Sequence, residues 1–245
     1  MEGKVAVVTG GSGGIGSQIV RGFAQAGARV AFTYLDAKES AQRLLAELPG
    51  GGHWSERVAV EDSAALNRFA SEVGNKCGRC DVLVNCAGIT RFVAHSDLDA
   101  LDDELIDQIF RVNWRGAFAT IRAFRPLLEN TGEALVLNIS SIAGVTAMGS
   151  NIAYCASKAA LDSMTKSLAR ALAPRIRVIS VSPGLVDTEF VHGLDQSWRD
   201  EQARRTPLGR LASPKEIGAA VLAVATMLKY SNGCIIPVDG GRPLS

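Results

Sequence analysis

The stretch Val5-Ala-Val-Val-Thr9-Gly10-Gly11-Ser12-Gly13-Gly14-Ile15-Gly16 decides how the chain is read. Val5 to Thr9 is a short apolar run, suited to a parallel strand buried on both faces. A glycine-rich turn follows it directly, and a helical pattern then runs through Ala26. Strand, glycine turn and helix in that order make a cradle for a pyrophosphate. The glycines let the backbone turn and approach closely, and the helix start offers free N–H groups and a positive dipole end. Two glycine patterns overlap here. Gly11, Gly13 and Gly16 fit Gly-x-Gly-x-x-Gly, whereas Gly10, Gly14 and Gly16 fit Thr-Gly-x-x-x-Gly-x-Gly. Thr9 and the immediate start after the strand favour the second. A glycine loop without a ligand is the competing reading, and the flanking strand and helix weigh against it.

Composition narrows the classes. The chain has 245 residues, with 26 basic and 25 acidic side chains and a net charge of +1, which argues against a nucleic-acid surface. Five cysteines are too few and too irregular for a disulfide framework. A strand begins almost at once after Met1, leaving no room for a signal peptide. The uncharged run 218–228 is too short to span a bilayer and reads as a buried helix. A soluble cytoplasmic protein is the expectation.

The chemistry-bearing stretch runs from Asn138 to Lys158. Ala134 to Ile139 lies within a buried strand over 133–140, and Ser141 follows where strand meets loop. In an open parallel sheet that end is where ligands bind. Tyr154 and Lys158 are four apart in a helical pattern over 153–173, so their side chains share one face. An ammonium near a phenol favours phenolate and lowers its pKa towards useful acid–base chemistry. Taken alone, Tyr-x-x-x-Lys is weak and more often marks a solvated helix face.

The glycine turn, Asn85-Cys86-Ala87-Gly88, Asn113, Ser141, Tyr154-x-x-x-Lys158 and Pro183-Gly184-x-x-x-Thr188 together resemble the short-chain dehydrogenase/reductase family from Val5 to Gly241. The resemblance implies a single domain over 1–245, with a Rossmann-like doubly wound parallel sheet of about seven strands and helices on both faces. It implies NAD(P)-dependent interconversion of a carbonyl and a secondary alcohol. Tyr154 would protonate the carbonyl oxygen and Ser141 would hydrogen-bond it, with Ser140 the rival. Lys158 would lower the Tyr pKa and hold the nicotinamide ribose, and Asn113 would distort its helix and complete the proton relay. Gly10, Ser12, Gly14, Ile15, Gly16, Tyr34, Val60, Asn85, Ala87, Gly88, Pro183, Gly184, Val186 and Thr188 become cofactor-binding candidates, Tyr154 and Lys158 with them. Val186 would meet the nicotinamide carboxamide and Thr188 the pyrophosphate. A variable lid over 187–210 and a homotetramer also follow from the resemblance.

Some positions depart from the family pattern. The tip of the second strand carries Tyr34 and Leu35, so neither the acid of NAD enzymes nor the common arginine of NADP enzymes is present. Gly13 also lacks a basic side chain. Asp36, about 20 residues after Gly16, could serve the ribose but falls just past the strand. The missing acid leans towards NADP(H), with NAD(H) the alternative. Ala59 stands where relatives carry an adenine-binding Asp, with Glu61 and Asp62 displaced. Cys86 replaces the second Asn of Asn-Asn-Ala-Gly. Cys77-x-x-Cys80 lacks the second pair that zinc needs and precedes a strand, so its cysteines read as small buried hydrophobes and no metal site is expected.

Further elements are expected at 38–48 (helix), 57–60 (strand), 62–73 (helix), 81–84 (strand), 99–129 (helix), 175–181 (strand) and 234–237 (strand). Ser213-Pro-Lys-Glu216 reads as a capping box opening the last long helix. In the lid, Trp198 reads as packing and His192 as solvated. Gly88-Ile-Thr-Arg91 and the Pro207-Leu-Gly-Arg210 stretch are similar to 3-oxoacyl-carrier-protein reductases, implying a carrier- or CoA-thioester or a related ketone as the small-molecule substrate. A sugar or polyol dehydrogenase is the alternative. Enoyl reductases space Tyr and Lys more widely. A non-catalytic dinucleotide-binding regulator is the alternative from another class, against which the full set of Asn113, Ser141, Tyr154 and Lys158 argues.

Overall fold

The structure, a computed structural model, describes residues 1–193 and 195–244. The side chains of Phe190 and His192 lie outside that description, and the reading of His192 as solvated lies there too. Strand and helix alternate from the start: β1 (Val5–Thr9), α1 (Gly14–Gln25), β2 (Arg29–Tyr34), α2 (Lys38–Glu47), β3 (Trp54–Arg57), α3 (Ser63–Cys77) and β4 (Val82–Asn85). Next come α4 (Asp103–Phe110), a π-helical turn (Arg111–Gly116), α5 (Ala117–Glu129) and β5 (Ala134–Ile139). The second half holds α6 (Ala143–Thr146), α7 (Ile152–Leu172), β6 (Ile176–Pro183), α8 (Glu189–His192), α9 (Gln196–Arg204), α10 (Pro214–Thr226) and β7 (Ile235–Val238). All the strand pairings are parallel, in one seven-stranded sheet ordered β3-β2-β1-β4-β5-β6-β7. The order reverses between β1 and β4, which opens a crevice outside their carboxyl ends.

Side-chain alternation along each strand builds the two cores. Ala6 and Val8 of β1 pack with Ile19, Phe23, Ile217 and Val221 of α1 and α10. Val5 and Val7 face the other way, with Phe69, Phe124, Leu161 and Met164 of α3, α5 and α7. Every residue of β1, β4 and β5 is buried, which is why these strands read as unbroken apolar runs rather than alternating ones. The expected α/β architecture is therefore present.

Several boundaries move. The third strand is Trp54–Arg57, before the expected 57–60. Its pairing runs from Ala31↔Trp54 to Tyr34↔Arg57. Val58 and Val60 are buried, but their apolar character serves packing beyond the strand: a methyl on Gly116 would lie 2.7 Å from Val60 Cγ2. The helix expected over 99–129 begins only at Asp103, because the Asp102 carboxylate caps it through Leu105 N–H. The run 218–228 is helical only to Thr226, and Met227 is exposed. Cys80 is buried and Cys77 half-buried, both free thiols. Among the described residues, no helix is long and apolar enough to cross a membrane.

The capping box is formed: Ser213 Oγ accepts from Glu216 N–H, and the Glu216 carboxylate accepts from Ser213 N–H at 2.8 Å. Ser213→Ala should lower unfolding free energy by about 1 kcal/mol, read as a lower urea midpoint with an unchanged slope.

Candidate active site

The glycine turn is built around close approaches, among them Gly11, where a methyl would lie 2.6 Å from Phe32 Cβ. Gly10 has φ +65°, and a methyl there would sit 2.9 Å from Ala87 Cα. A methyl on Gly16 would meet the Gly10 carbonyl oxygen at 2.1 Å. Gly10 belongs to the Thr-Gly-x-x-x-Gly-x-Gly reading and Gly16 to both glycine patterns. Thr9 Oγ1 accepts from the N–H groups of Cys86 and Ala87, which locks the turn to the end of β4. The start of α1 carries neither a capping side chain nor an acidic residue in its first turn. Its N–H groups and positive dipole end are thus left for an anion, the chemistry a dinucleotide pyrophosphate needs. Thr188 lies over this start, with its methyl 3.2 Å from a Cβ placed on Gly14. The residues present fit a nicotinamide dinucleotide.

The candidate catalytic side chains gather at the carboxyl end of β5. The Lys158 ammonium, on α7 and 6% exposed, donates to the Ile139 carbonyl at 2.9 Å. Tyr154, one turn earlier, places its ring centroid 5.6 Å from Lys158 Nζ. The Ser141 hydroxyl faces the Tyr154 hydroxyl and favours its ionised form. Asn151 caps α7 through Tyr154 N–H at 2.7 Å and donates to the Arg91 carbonyl, so the helix start is tied to the loop after β4. Asn113 and Lys158 both border Gly88: a Cβ there would lie 3.3 Å from Asn113 Oδ1 and 3.7 Å from Lys158 Nζ. Of the rival serines, Ser141 reaches Tyr154, while Ser140 is buried and faces the Asp162 carboxyl.

Asn113 lies within the π-helical turn, so the helix is distorted where expected. Its side chain accepts from Ile89 N–H at 2.8 Å and donates to the Ile89 carbonyl and to Ser157 Oγ. Asn85 donates to Asn138 across β4 and β5. Gly184 N–H donates to the Val238 carbonyl, and Val186 bridges to Ala212. Asp62 caps α3, its Oδ1 accepting from Ala64 and Ala65 N–H.

One electrostatic expectation is corrected. The Tyr154 pKa is raised, not lowered: burial dominates, the Ser141 hydroxyl opposes it, and Cys155 adds to it. Lys158 points at the Ile139 carbonyl rather than at the phenol. Burial also lowers Lys158 to about 8, against the opposing pull of Cys86 and Asp162, and pushes the Cys86 thiol up to about 12.

Sequence reasoning missed Arg57. The β2–β3 register sets it beside Tyr34 at the tip of β2. Its Nε donates to the Leu35 carbonyl at 2.8 Å and its Nη2 lies 3.7 Å from Asp36 Oδ1, with the two side chains 69% and 84% exposed. The parallel register, invisible without β3 placed correctly, was the signal.

A family model described as "Enoyl-(Acyl carrier protein) reductase" matches residues 10–242. The chain belongs to the short-chain dehydrogenase/reductase family. Members similar to it include D-threitol dehydrogenase of Mycolicibacterium smegmatis, 35% identical over 98% of this chain and 93% of that protein. The 3-oxoacyl-(acyl-carrier-protein) reductase FabG of Thermotoga maritima is 35% identical over 98% of each chain. Among solved structures, the Pseudomonas aeruginosa RhlG/NADP active-site complex superposes with a TM-score of 0.90. It is 33% identical, over 99% of this chain and 97% of that one. As a member of this family, the chain is an NAD(P)-dependent oxidoreductase that interconverts carbonyl and alcohol groups.

The depressed Lys158 pKa has a stability consequence. Between about 8 and the unfolded value of 10.5 the native state binds fewer protons, so stability rises with pH across that window. At pH 7 the buried ammonium costs stability. Lys158→Met should raise the unfolding free energy at pH 7 by an amount on the order of 1–3 kcal/mol, read as a higher urea midpoint, and the gain should shrink as pH approaches 10.

Proposed function

We propose that the chain reduces a 3-oxoacyl thioester, or a related ketone, with Ser141, Tyr154, Lys158 and Asn113 as its working residues. The observation that carries this reading is the convergence of the Ser141 and Tyr154 hydroxyls, with the Lys158 ammonium beside Gly88 at the end of the glycine cradle. The nicotinamide supplies the hydride when bound. Tyr154 delivers a proton from its hydroxyl to the carbonyl oxygen, so a C=O becomes CH–OH. Burial keeps that phenol protonated but makes it a weaker acid, which the Ser141 hydroxyl partly offsets. Ser141 donates a hydrogen bond to the same oxygen as charge develops there. Lys158 orients the nicotinamide ribose by donating to its hydroxyls. Asn113 holds the Ile89 backbone with its side chain, while the π-helical turn frees a main-chain carbonyl for a water relay.

Gly10, Ser12, Gly14, Ile15, Gly16 and Thr188 hold the pyrophosphate. Tyr34 and Val60 flank the adenosine end, and Asn85, Ala87 and Gly88 leave room for the ribose. Pro183, Gly184 and Val186 meet the nicotinamide. The α8–α9 segment within 187–210 acts as the lid. Arg57 favours NADP(H): its guanidinium is available to a 2′-phosphate once it leaves Asp36. Phe92, after β4, and Met148, after α6, are exposed apolar side chains that suit an acyl chain. The D-threitol dehydrogenase relative, as similar as the FabG relative, supports a polyol dehydrogenase as the second reading. An exposed stack of Trp114 on Phe118, with ring centroids 6.1 Å apart, offers a face for homo-oligomer assembly and supports the tetramer expected from the resemblance. A cytoplasmic location completes the reading.

Tyr154→Phe should lower kcat/KM for ketone reduction about 100-fold while NADPH still binds in a fluorescence titration. Retention of full activity would overturn the assignment. Arg57→Ala should weaken NADPH binding about 10-fold and leave NADH unchanged. Equal effects on both would remove Arg57 from cofactor selection.

A further inference from the structure

Asp162 lies on α7, one turn beyond Lys158, and is 7% exposed. Both carboxylate oxygens are sealed from solvent and make no directed hydrogen bond. Burial raises the Asp162 pKa, while the nearby Ser140 and Ser180 hydroxyls and the charges of Lys158 and Lys166 oppose it and favour its anion, and the Ser140 hydroxyl is itself buried without an aligned partner. A buried carboxylate left in this state costs stability rather than adding to it. The fold gives no reason for it, since Asn138, Thr165 and Ser180 already satisfy one another next door: Asn138 donates to Thr165 at 2.8 Å, and Thr165 and Ser180 share a hydrogen bond at 2.9 Å. Departures from packing rules of this kind collect at functional sites.

Its place in the fold shows what it does. Three consecutive residues at the exit of β5 meet three residues on one face of α7. Ile139 accepts from Lys158, Ser140 faces Asp162, and Ser141 faces Tyr154. We propose that Asp162 is a positioning residue of this site, its carboxylate the buried counter-charge that keeps the Lys158 ammonium protonated and aimed across the end of β5. The inference rests on the assigned role of Lys158 and adds what sustains that role. The titratable groups around the pair are few. Cys86 from the end of β4, Tyr154 and Asp162 surround Lys158, while Lys158 and Lys166 face Asp162. Burial holds the Cys86 thiol protonated through neutral pH, and the Tyr154 phenol is held protonated likewise. That leaves Asp162 as the acidic neighbour that can carry negative charge beside Lys158. Burial brings the Lys158 pKa down to about 8, so a nearby charge sets how far above neutrality the ammonium persists.

The direct test is a carbon-13 NMR titration of protein labelled at lysine Cε, with Lys158→Met assigning the resonance. Asp162→Asn, close to isosteric, should move the Lys158 titration at least half a pH unit lower. The alkaline limb of kcat/KM for ketone reduction should move by the same amount. Reciprocally, Lys158→Met should raise the Asp162 titration followed at its carboxyl carbon, which tests the coupling even if Asp162→Asn does not fold. Lower melting of Asp162→Asn with an unshifted Lys158 titration would make Asp162 merely structural and overturn the proposal. A shifted Lys158 titration in Asp162→Asn, with a parent protein that reduces no carbonyl, would overturn the catalytic reading and keep the electrostatic coupling.

Discussion

The hydrogen bond from Lys158 Nζ to the Ile139 carbonyl holds the site together. It ties the second turn of α7 to the last residue of β5, at the carboxyl edge where the sheet opens. Everything chemical is placed relative to that tie. Tyr154 stands one turn before Lys158 on the same helix face, and Ser141 stands two residues beyond Ile139. Gly88 lies between Lys158 and Asn113, so its lack of a side chain keeps a passage open where two polar groups converge. The ammonium is an expensive anchor, since burial lowers its pKa to about 8. A fold that needed only a strap between α7 and β5 would use a neutral group. The role proposed for Lys158 at the nicotinamide ribose gives that charge a use.

Beneath the site runs a line of buried polar contacts that keeps the central strands in register. Thr9 gathers the N–H groups of Cys86 and Ala87, Asn85 donates to Asn138, and Asn138 donates to Thr165. Each link crosses from one element to the next: β1 to the loop after β4, β4 to β5, and β5 to α7. Apolar packing on either face would tolerate small slips of the strand ends. Directional bonds between buried polar groups do not, because a slip would leave them unpaired at a cost of roughly 1–3 kcal/mol each. The glycine cradle and the reaction centre are thus fixed to one another through the sheet.

Much of this was legible in the sequence, for identifiable reasons. β1 and its glycine turn were readable because both the apolar run and the glycines are dictated locally, by two-sided burial and by contacts as close as Gly16 to the Gly10 carbonyl. The distorted helix at Asn113 was readable only through family resemblance, since nothing in Arg-Val-Asn-Trp-Arg marks a π-helical turn by itself. β3 was displaced because its real residues, Trp54-Ser-Glu-Arg57, are polar and lie on an edge strand, while Val58 and Val60 are apolar for contacts with other elements. That slip hid Arg57, whose position depends on register rather than on local sequence. Asp162 was hidden differently: one acidic residue in a helix of mixed composition reads as solvated, and only the packing of α7 on β5 and β6 buries it. The Tyr154 pKa likewise turns on burial, which spacing cannot report.

The account stands or falls on hydride transfer at this site. The most direct measurement incubates the protein with a 3-oxoacyl thioester and NADPH deuterated at the transferable nicotinamide position, then locates the label by mass spectrometry and NMR. One deuterium on the carbinol carbon of a 3-hydroxyacyl product is the predicted result. Unlabelled substrate recovered with intact cofactor, across thioesters, simple ketones and, in reverse, polyols, would contradict it.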